Sequence, residues 1–369
     1  MPISALSAST SLGGLIPRDT YLTDANDTLD VLFLAGPLHA GGGDDHIWAG
    51  YGNDVLYGDA GYDSLYGENG NDTIYGGAQD DWLYGGLGSD TLYGGTEDDW
   101  LYGEQGSDTL YGGTGIDEIF GGDGNDRLWG NEDCDYLYGD AGDDELHGGD
   151  ETGYTDQMVE IGDDLRGGVG ADTLFGDGGG DSLYGDEGND HLFGGLGDDG
   201  LHGGANDDQL YGEQDDDVLH GDDGDDQLFG GGGSDDLYGG IGKDDLWGGT
   251  GRGTDDGAQD IFWFTQQEIV PVLGLTWRDM IHDFVPGEDE IDLSLIDARV
   301  DPGEQAFNFV TSFSGSTTHP GAGGEVLVSG GFAGLYTVQC DIDGDGIADF
   351  KIDVQTINNV PLTQQDFLL

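Results

Sequence analysis

The sequence predicts an all-β chain: a parallel β-roll, a solenoid of nonapeptide repeats, followed by a β-sandwich-like C-terminal cap. Three observations predict it. A nine-residue phrase, Gly-Gly-x-Gly-x-Asp-x-Leu-Tyr, recurs through residues 41–246, plainly in GGLGSDTLY at 85–93 and GGLGDDGLH at 194–202. A fixed short period marks a stacked repeat architecture, and nine residues are too few for a helix and its return. The composition is the third: 76 Gly, and 78 Asp plus Glu against 8 Lys plus Arg, for a formal net charge of −70 with 35% hydrophobic residues. Such a chain does not collapse on apolar burial alone, and like-charge repulsion opposes compaction. Either it stays disordered or cations complete the fold.

Residues 1–40 read as a mostly irregular leader with two degenerate capping turns. Asn26-Asp27-Thr28-Leu29 restates the Asp-x-Leu phrase, and Leu29 and Leu38 stand in register with Ile47 at steps of nine. The roll is expected over residues 41–262. Its first block carries twelve apolar anchors from Ile47 to Leu146, and its second carries ten from Leu165 to Leu246. The step of 19 between Leu146 and Leu165 predicts a distorted turn near 149–161 with one extra residue. Each x-Leu-x triplet is read as a very short strand with its leucine pointing inward, and the six residues between triplets as a turn. Two phrases make one coil, and about 11 coils at roughly 4.8 Å give a rod near 50 Å long. After a longer loop, Asp260-Ile261-Phe262 states the phrase once more. Residues 263–369 then thin in glycine. FNFV, GEVLVS, LYTVQCDI and DFKIDV read as strands of a second, β-rich domain.

The turns are expected to carry the chemistry. Asp stands two residues before every anchor. These are Asp45, Asp54, Asp63, Asp72, Asp81, Asp90, Asp99, Asp108, Asp117, Asp126, Asp135 and Asp144 in the first block. In the second they are Asp163, Asp172, Asp181, Asp190, Asp199, Asp208, Asp217, Asp226, Asp235 and Asp244. A solvated acidic loop would scatter Asp among Glu, Ser and Asn; one invariant phase instead predicts metal ligation. Glycine lets backbone carbonyls turn into the same space. A cage of hard oxygens suits Ca2+, whose geometry is forgiving, whereas Zn2+ asks for His or Cys in tetrahedral array. Many Ca2+ ions are expected. About 20 of them would bring the charge from −70 to roughly −30, with folding coupled to binding. Gly stands four residues before the anchor except at Gln79, Glu97, Asp133, Ile161, Asn206 and Asp215. Gln, Glu and Ile tolerate a left-handed backbone poorly, so Gln79, Glu97 and Ile161 mark the expected soft turns.

The residue after the anchor is aromatic in 18 of 22 phrases, the others being His147, Arg166, His202 and His220. Such a stripe either packs ring on ring along each sheet or offers a platform for sugar rings. Cys134 and Cys340 are no disulfide framework; one bridge and two thiols both remain open. No apolar run is long enough for a transmembrane helix, and the N-terminus lacks the features of a cleaved signal peptide. A surface this acidic excludes nucleic acid as a partner.

On these residues the chain resembles the RTX (repeats-in-toxin) calcium-binding β-roll family over residues 41–262. The tail is similar to the C-terminal domain of serralysin-type secreted metalloproteases. The matching residues are Asp260-Ile-Phe-Trp-Phe264, Asp279-Met-Ile-His-Asp-Phe284, Gly287-Glu-Asp-Glu-Ile-Asp-Leu-Ser294, the run Asp341 to Phe350 and Asp366-Phe-Leu-Leu369. The resemblance implies an uncleaved C-terminal signal, export by a type I secretion apparatus, and a secreted, extracellular protein that folds on meeting Ca2+ outside the cell. It does not carry over protease activity. No His begins a His-Glu-x-x-His motif, no Gly-x-Ser-x-Gly elbow is present, and about 40 residues ahead of the repeat leave no room for a catalytic domain. Asp341, Asp343, Asp345 and Asp349 look like the start of an EF-hand loop, but Ile352 stands where a bidentate Glu is required. They read as an acidic turn. The function expected is a non-enzymatic calcium-binding extracellular scaffold. The alternatives are an accessory secretion module for an enzyme whose catalytic domain is absent here, or a polysaccharide-binding module using the aromatic stripe.

Overall fold

A buried leucine between two half-exposed neighbours makes a strand of every phrase. Val55–Ala60 shows the pattern, with Leu56 fully buried and Val55 and Tyr57 partly exposed. Every anchor from Ile47 to Leu246 is at most 1% exposed. In the computed structural model the described residues are 10–16, 20–22, 25–34, 36–150, 162–250, 258–265, 278–296, 308–310, 325–341, 348 and 350–368. They belong to two units, Met1–Gly188 and Asn189–Leu369. Both are all-β and built on a parallel solenoid, to which the second adds antiparallel strands. The helical elements among the described residues are two three-residue 3-10 turns, Ile357–Asn359 and Gln364–Asp366.

In the first unit alternate strands form two sheets. One runs from Thr10–Ile16 through Thr28–Leu34 and His46–Trp48 to Ser182–Glu187, every pair parallel. The other runs from Thr20–Tyr21 through Leu38–Gly42 to Thr173–Gly178. The register is one coil per 18 residues, Leu92 opposite Leu110 and Tyr93 opposite Tyr111. Leu29 and Leu38 are buried beneath Ile47 and Leu56, as their register predicts.

Three features depart from the expectation. Strands begin at Thr10, well before the first Asp-x-Leu phrase, because pairing here does not need the phrase that periodicity detects. Most strands are six residues long, not three. The parallel ladder continues into the turn, so that Gly95 still pairs with Gly113 and Thr96 with Thr114. The long step after Leu146 adds no rung. Tyr136–Ala141 pairs directly with Asp164–Val169, and Glu145–Asp150 with Thr173–Gly178. The additional residues fall in sequence between Glu145–Asp150 and Asp164–Val169; 151–161, including the expected soft point Ile161, lie outside the described residues.

The second unit stacks the same way. Gly200–Ala205, Val218–Asp223, Asp236–Tyr238, Ile261–Trp263, Glu290–Asp292 and Phe367–Leu368 form one parallel column. His191–Leu196, Gln209–Gln214, Gln227–Gly232, Asp245–Trp247, Met280–Phe284 and Phe350–Thr356 form the other. The stacking thus passes Phe262 unbroken, with Phe262, Ile281, Ile291 and Val354 taking the leucine places, all buried. Phe350–Thr356 also pairs antiparallel with Leu335–Asp341, which pairs with Glu325–Phe332. These added strands bury Val326, Val338, Cys340 and Ile352. Of the acidic turn, Asp343, Asp345 and Asp349 lie outside the described residues.

Candidate metal centre

All the aspartates named from Asp45 to Asp244 are at most 4% exposed. They stand in vertical files along the turns. In the first unit each donates its backbone N–H to the Oδ1 of the aspartate one coil on. One file joins Asp27, Asp45, Asp63, Asp81, Asp99, Asp117, Asp135 and Asp163 at 2.5–2.8 Å. A second joins Asp54, Asp72, Asp90, Asp108, Asp126, Asp144 and Asp172 at 2.6–2.7 Å. Asp163 donates to Asp181 at 2.6 Å. In the second unit Asp190, Asp208, Asp226 and Asp244 form a file, as do Asp199, Asp217 and Asp235, at 2.8–3.0 Å. Those files continue beyond the phrase: Asp235 donates to Asp260, Asp244 to Asp279 and Asp260 to Asp289 at 3.1–3.3 Å. Asp279 and Asp289 were not among the expected site residues. Residues 251–257 and 266–277, which lie outside the described residues, break the sequence period that would have revealed them.

Oδ1 is therefore engaged, and the second oxygen is the informative atom. Oδ2 of Asp45, Asp63, Asp81, Asp99, Asp108, Asp126, Asp144, Asp208, Asp217, Asp226 and Asp244 is buried with no hydrogen-bond donor. An uncompensated buried carboxylate oxygen is costly in a protein interior. The backbone shows what lies beside it. A Cβ built on Gly103 would come 2.5 Å from the Gly121 carbonyl oxygen and 2.7 Å from Asp108 Oδ2. One built on Gly203 would come 2.5 Å from Asp208 Oδ2 and 2.8 Å from the Gly221 carbonyl. Glycine at this phase thus leaves a cradle where a carboxylate oxygen and the carbonyl of the next coil converge. The donor set is all hard oxygen, which fits Ca2+ and not a thiolate- or imidazole-seeking ion.

Burial pushes these carboxyls up, neighbouring carboxylates add to it, and the N–H on Oδ1 works against it. Asp108 and Asp208 are raised to about 7, Asp81 and Asp144 to about 8, and Asp99, Asp135, Asp217 and Asp226 to about 9. Holding a file of such groups ionised at neutral pH requires positive charge between the coils.

The turn backbone is left-handed at two phases. Gln79, Glu97, Asp133, Asn206 and Asp215 have φ of 74–84°, at the position where the phrase has glycine. Gln79 and Glu97 thus adopt the left-handed angle from which their softness was expected. A second left-handed phase, three residues after the anchor, holds Glu68, Glu104 and Glu213 at φ 71–80°. Alternation of Gly with Asp and Glu at that phase had masked its backbone requirement.

Outside, the stripe residues stack along each sheet. Tyr57, Tyr75, Tyr93, Tyr111 and Trp129 lie at centroid spacings of 4.7–5.0 Å with interplanar angles of 3–14°. Arg166 continues the other stripe, its guanidinium 4.6 Å from the Tyr184 ring centroid. The rings cover one another's faces.

No helix among the described residues is long and apolar enough to cross a membrane. Comparison with curated proteins finds no match, whereas 28 chains of solved structure match. One is the solution structure of the AlgE6R3 subunit from the Azotobacter vinelandii mannuronan C5-epimerase. It is 25% identical over 45% of this chain and 80% of that one, with a TM-score of 0.31. The family model for the RTX calcium-binding nonapeptide repeat matches overlapping stretches that together span residues 37–152 and 166–255, more than half of the chain. The chain belongs to the RTX calcium-binding nonapeptide repeat family.

Proposed function

We infer that this is a secreted protein that binds many Ca2+ ions, folds as it binds them outside the cell, and serves there as a non-enzymatic scaffold. The observation that carries the reading is the buried Oδ2 of each file, set beside a glycine cradle and a carbonyl. Under this reading the aspartates from Asp45 to Asp244 are the ligands, and backbone carbonyls such as that of Gly121 complete the shell. Ca2+ supplies the charge that lets the files stay ionised and buried. Oδ1 fixes the coil spacing, and the leucine files exclude water from the inner face.

Export through a type I secretion apparatus rests on the serralysin-like motifs of the tail. Its physical logic is that scarce cytosolic Ca2+ leaves the chain unfolded for passage. The polysaccharide alternative is the weaker one, because stacked rings present edges where a sugar needs a face. The accessory-module alternative keeps the same calcium chemistry and differs only in what travels with the roll.

The test is a Ca2+ titration of the full chain after chelation, followed by circular dichroism and light scattering together. A disordered chain that becomes β-rich with Ca2+ supports the reading. A spectrum identical in chelator and in millimolar Ca2+ overturns the coupling of folding to calcium. Hydrolytic or lyase activity of the purified protein overturns the non-enzymatic role.

A further inference from the structure

We propose that His202, His220 and Asp222 form a binding site for Zn2+ or a related first-row transition-metal ion on the outer face of the second unit, distinct from the calcium cradles. Two stripe positions of consecutive coils carry imidazoles here. Each follows a buried leucine, Leu201 and Leu219, and the two are register partners across the parallel ladder. Their rings stack at 4.5 Å with an interplanar angle of 2°. Asp222 turns back from the end of the same strand and sets Oδ2 3.4 Å from His202 Nδ1. One ligand atom from each residue lies within 4.8 Å of the other two. Among the described residues this is the one group of three His, Cys, Asp or Glu side chains so placed. Bonds of about 2.0–2.2 Å to a common ion require the two parallel rings to swing out of their stack so that their in-plane lone pairs converge, and none of the three side chains is fully buried.

The donor chemistry differs from that of the turns. Two nitrogens and one carboxylate select a borderline ion over Ca2+. A cleft of about 280 Å3 adjoins the group, bounded by His220, Asp222, Asp223, Tyr238 and Thr265. It leaves a coordination position open to water or to a small donor.

The roll provides its own controls. His39 approaches Asp59 at 3.4 Å and His147 approaches Asp177 at 3.6 Å, the same imidazole–carboxylate step. Their stacking neighbours are Tyr21 and Tyr57, and Trp129 and Phe175. His147 also meets Glu145 at 3.4 Å, but through Nε2, the nitrogen facing away from Asp177, so those places bring two ligands to one point where the His202 site brings three. Stacking is served equally well by Phe or Tyr, as Phe193, Tyr211 and Phe229 show in the adjoining column. A second imidazole does nothing for the stack that Phe or Tyr would not do, and it brings a second nitrogen to the place.

The test uses the full chain in saturating Ca2+. Zn2+ is added by calorimetry and Co2+ by visible absorption, with the same titrations on His202→Tyr/His220→Phe and on His147→Phe. Both sets place residues already used at this phase, so the far-UV spectrum in Ca2+ should match the parent. The parent is expected to bind one equivalent that excess Ca2+ does not displace. The double variant should lose about 10–100-fold in affinity or more, and His147→Phe should lose none. Independently of any variant, electron paramagnetic resonance of the parent loaded with one equivalent of Cu2+ should show two coupled imidazole nitrogens. Absence of a Ca2+-resistant equivalent, its survival in the double variant, or a Cu2+ signal with fewer than two nitrogens would overturn the proposal.

Discussion

Asp108→Asn separates the two roles of a file carboxylate. Asp108 Oδ1 accepts the Asp90 N–H at 2.7 Å, while Oδ2 is buried beside Gly103 and the Gly121 carbonyl with no donor. Asparagine keeps the acceptor and removes the charge and the oxygen that faces the cradle. A single site at free Ca2+ a hundredfold above its Kd adds about 2.7 kcal/mol to the folded state. Loss of that site removes about the same amount at that excess, and the deficit shrinks as Ca2+ is lowered toward Kd. Asp108→Ala also strips the acceptor from the Asp90 N–H, which costs about 1–3 kcal/mol more at every Ca2+ concentration. The assay is urea unfolding of the full chain, followed by circular dichroism, over the range of free Ca2+ in which the parent stays folded. An Asp108→Asn deficit independent of Ca2+, or one equal to that of Asp108→Ala throughout, would refute the placement of a cation against Oδ2.

Three further outcomes are expected. Leu110→Ala, at a fully buried anchor, should destabilise the Ca2+-loaded chain by about 2–5 kcal/mol in the same urea assay, with Ca2+ stoichiometry by calorimetry unchanged. Glu97, at φ 74°, should accept glycine with no loss of stability but lose about 1–2 kcal/mol as valine, since a β-branched residue resists the left-handed region. The third is a proton effect with a definite sign. Folded-state values of about 7–9 for Asp99, Asp108, Asp135 and Asp144 exceed the usual 3.8. Without Ca2+ the folded form therefore binds more protons than the unfolded form between about pH 4 and 9, and its stability falls as pH rises through that window. The chelated chain, disordered near pH 7, should therefore move toward the β-rich form as pH is lowered through that window. A far-UV circular dichroism spectrum in chelator that stays unchanged from pH 9 to pH 4 would contradict this.

The files of Leu56 and Asp63 were legible because each residue type does one job at one phase. Their spacing therefore gives the coil, the inner face and the candidate ligands together. The parts that escaped have no such signature. Thr10–Ile16 pairs through its backbone without an Asp-x-Leu phrase. The ladder runs on through Gly95 and Thr96 because backbone pairing there is indifferent to side chain. Residues inserted after Asp150 looked like another turn, since only the pairing of Ala141 with Val169 reveals that no rung was added. Asp279 and Asp289 join the files at sequence separations of 35 and 29 instead of 18. The His202–His220–Asp222 group was visible only as exceptions to an aromatic rule. Its meaning depends on knowing that the two rings are neighbours in space.

The hydrogen bonds between file aspartates all point one way. Each backbone N–H reaches forward to a carboxylate that arrives later in the chain, as Asp226 does to Asp244 and Asp244 to Asp279. These file bonds run toward the C-terminus, while ladder bonds run the other way, the Ser64 N–H reaching back to the Asp45 carbonyl at 2.8 Å. Each turn is a clause tied in both directions, and its carboxylate word is the one supplied downstream. Within the second unit that word comes from Asp260, Asp279 and Asp289, outside the regular repeat. Cutting the chain after Leu246 would strand the amides of Asp235 and Asp244 and leave the final coil open. Cutting coils from the front instead strands ladder amides such as that of Ser64, whose acceptor is the Asp45 carbonyl, and leaves the acceptors of the aspartate files in place. The irregular tail thus supplies the carboxylates that close the aspartate files of the second unit.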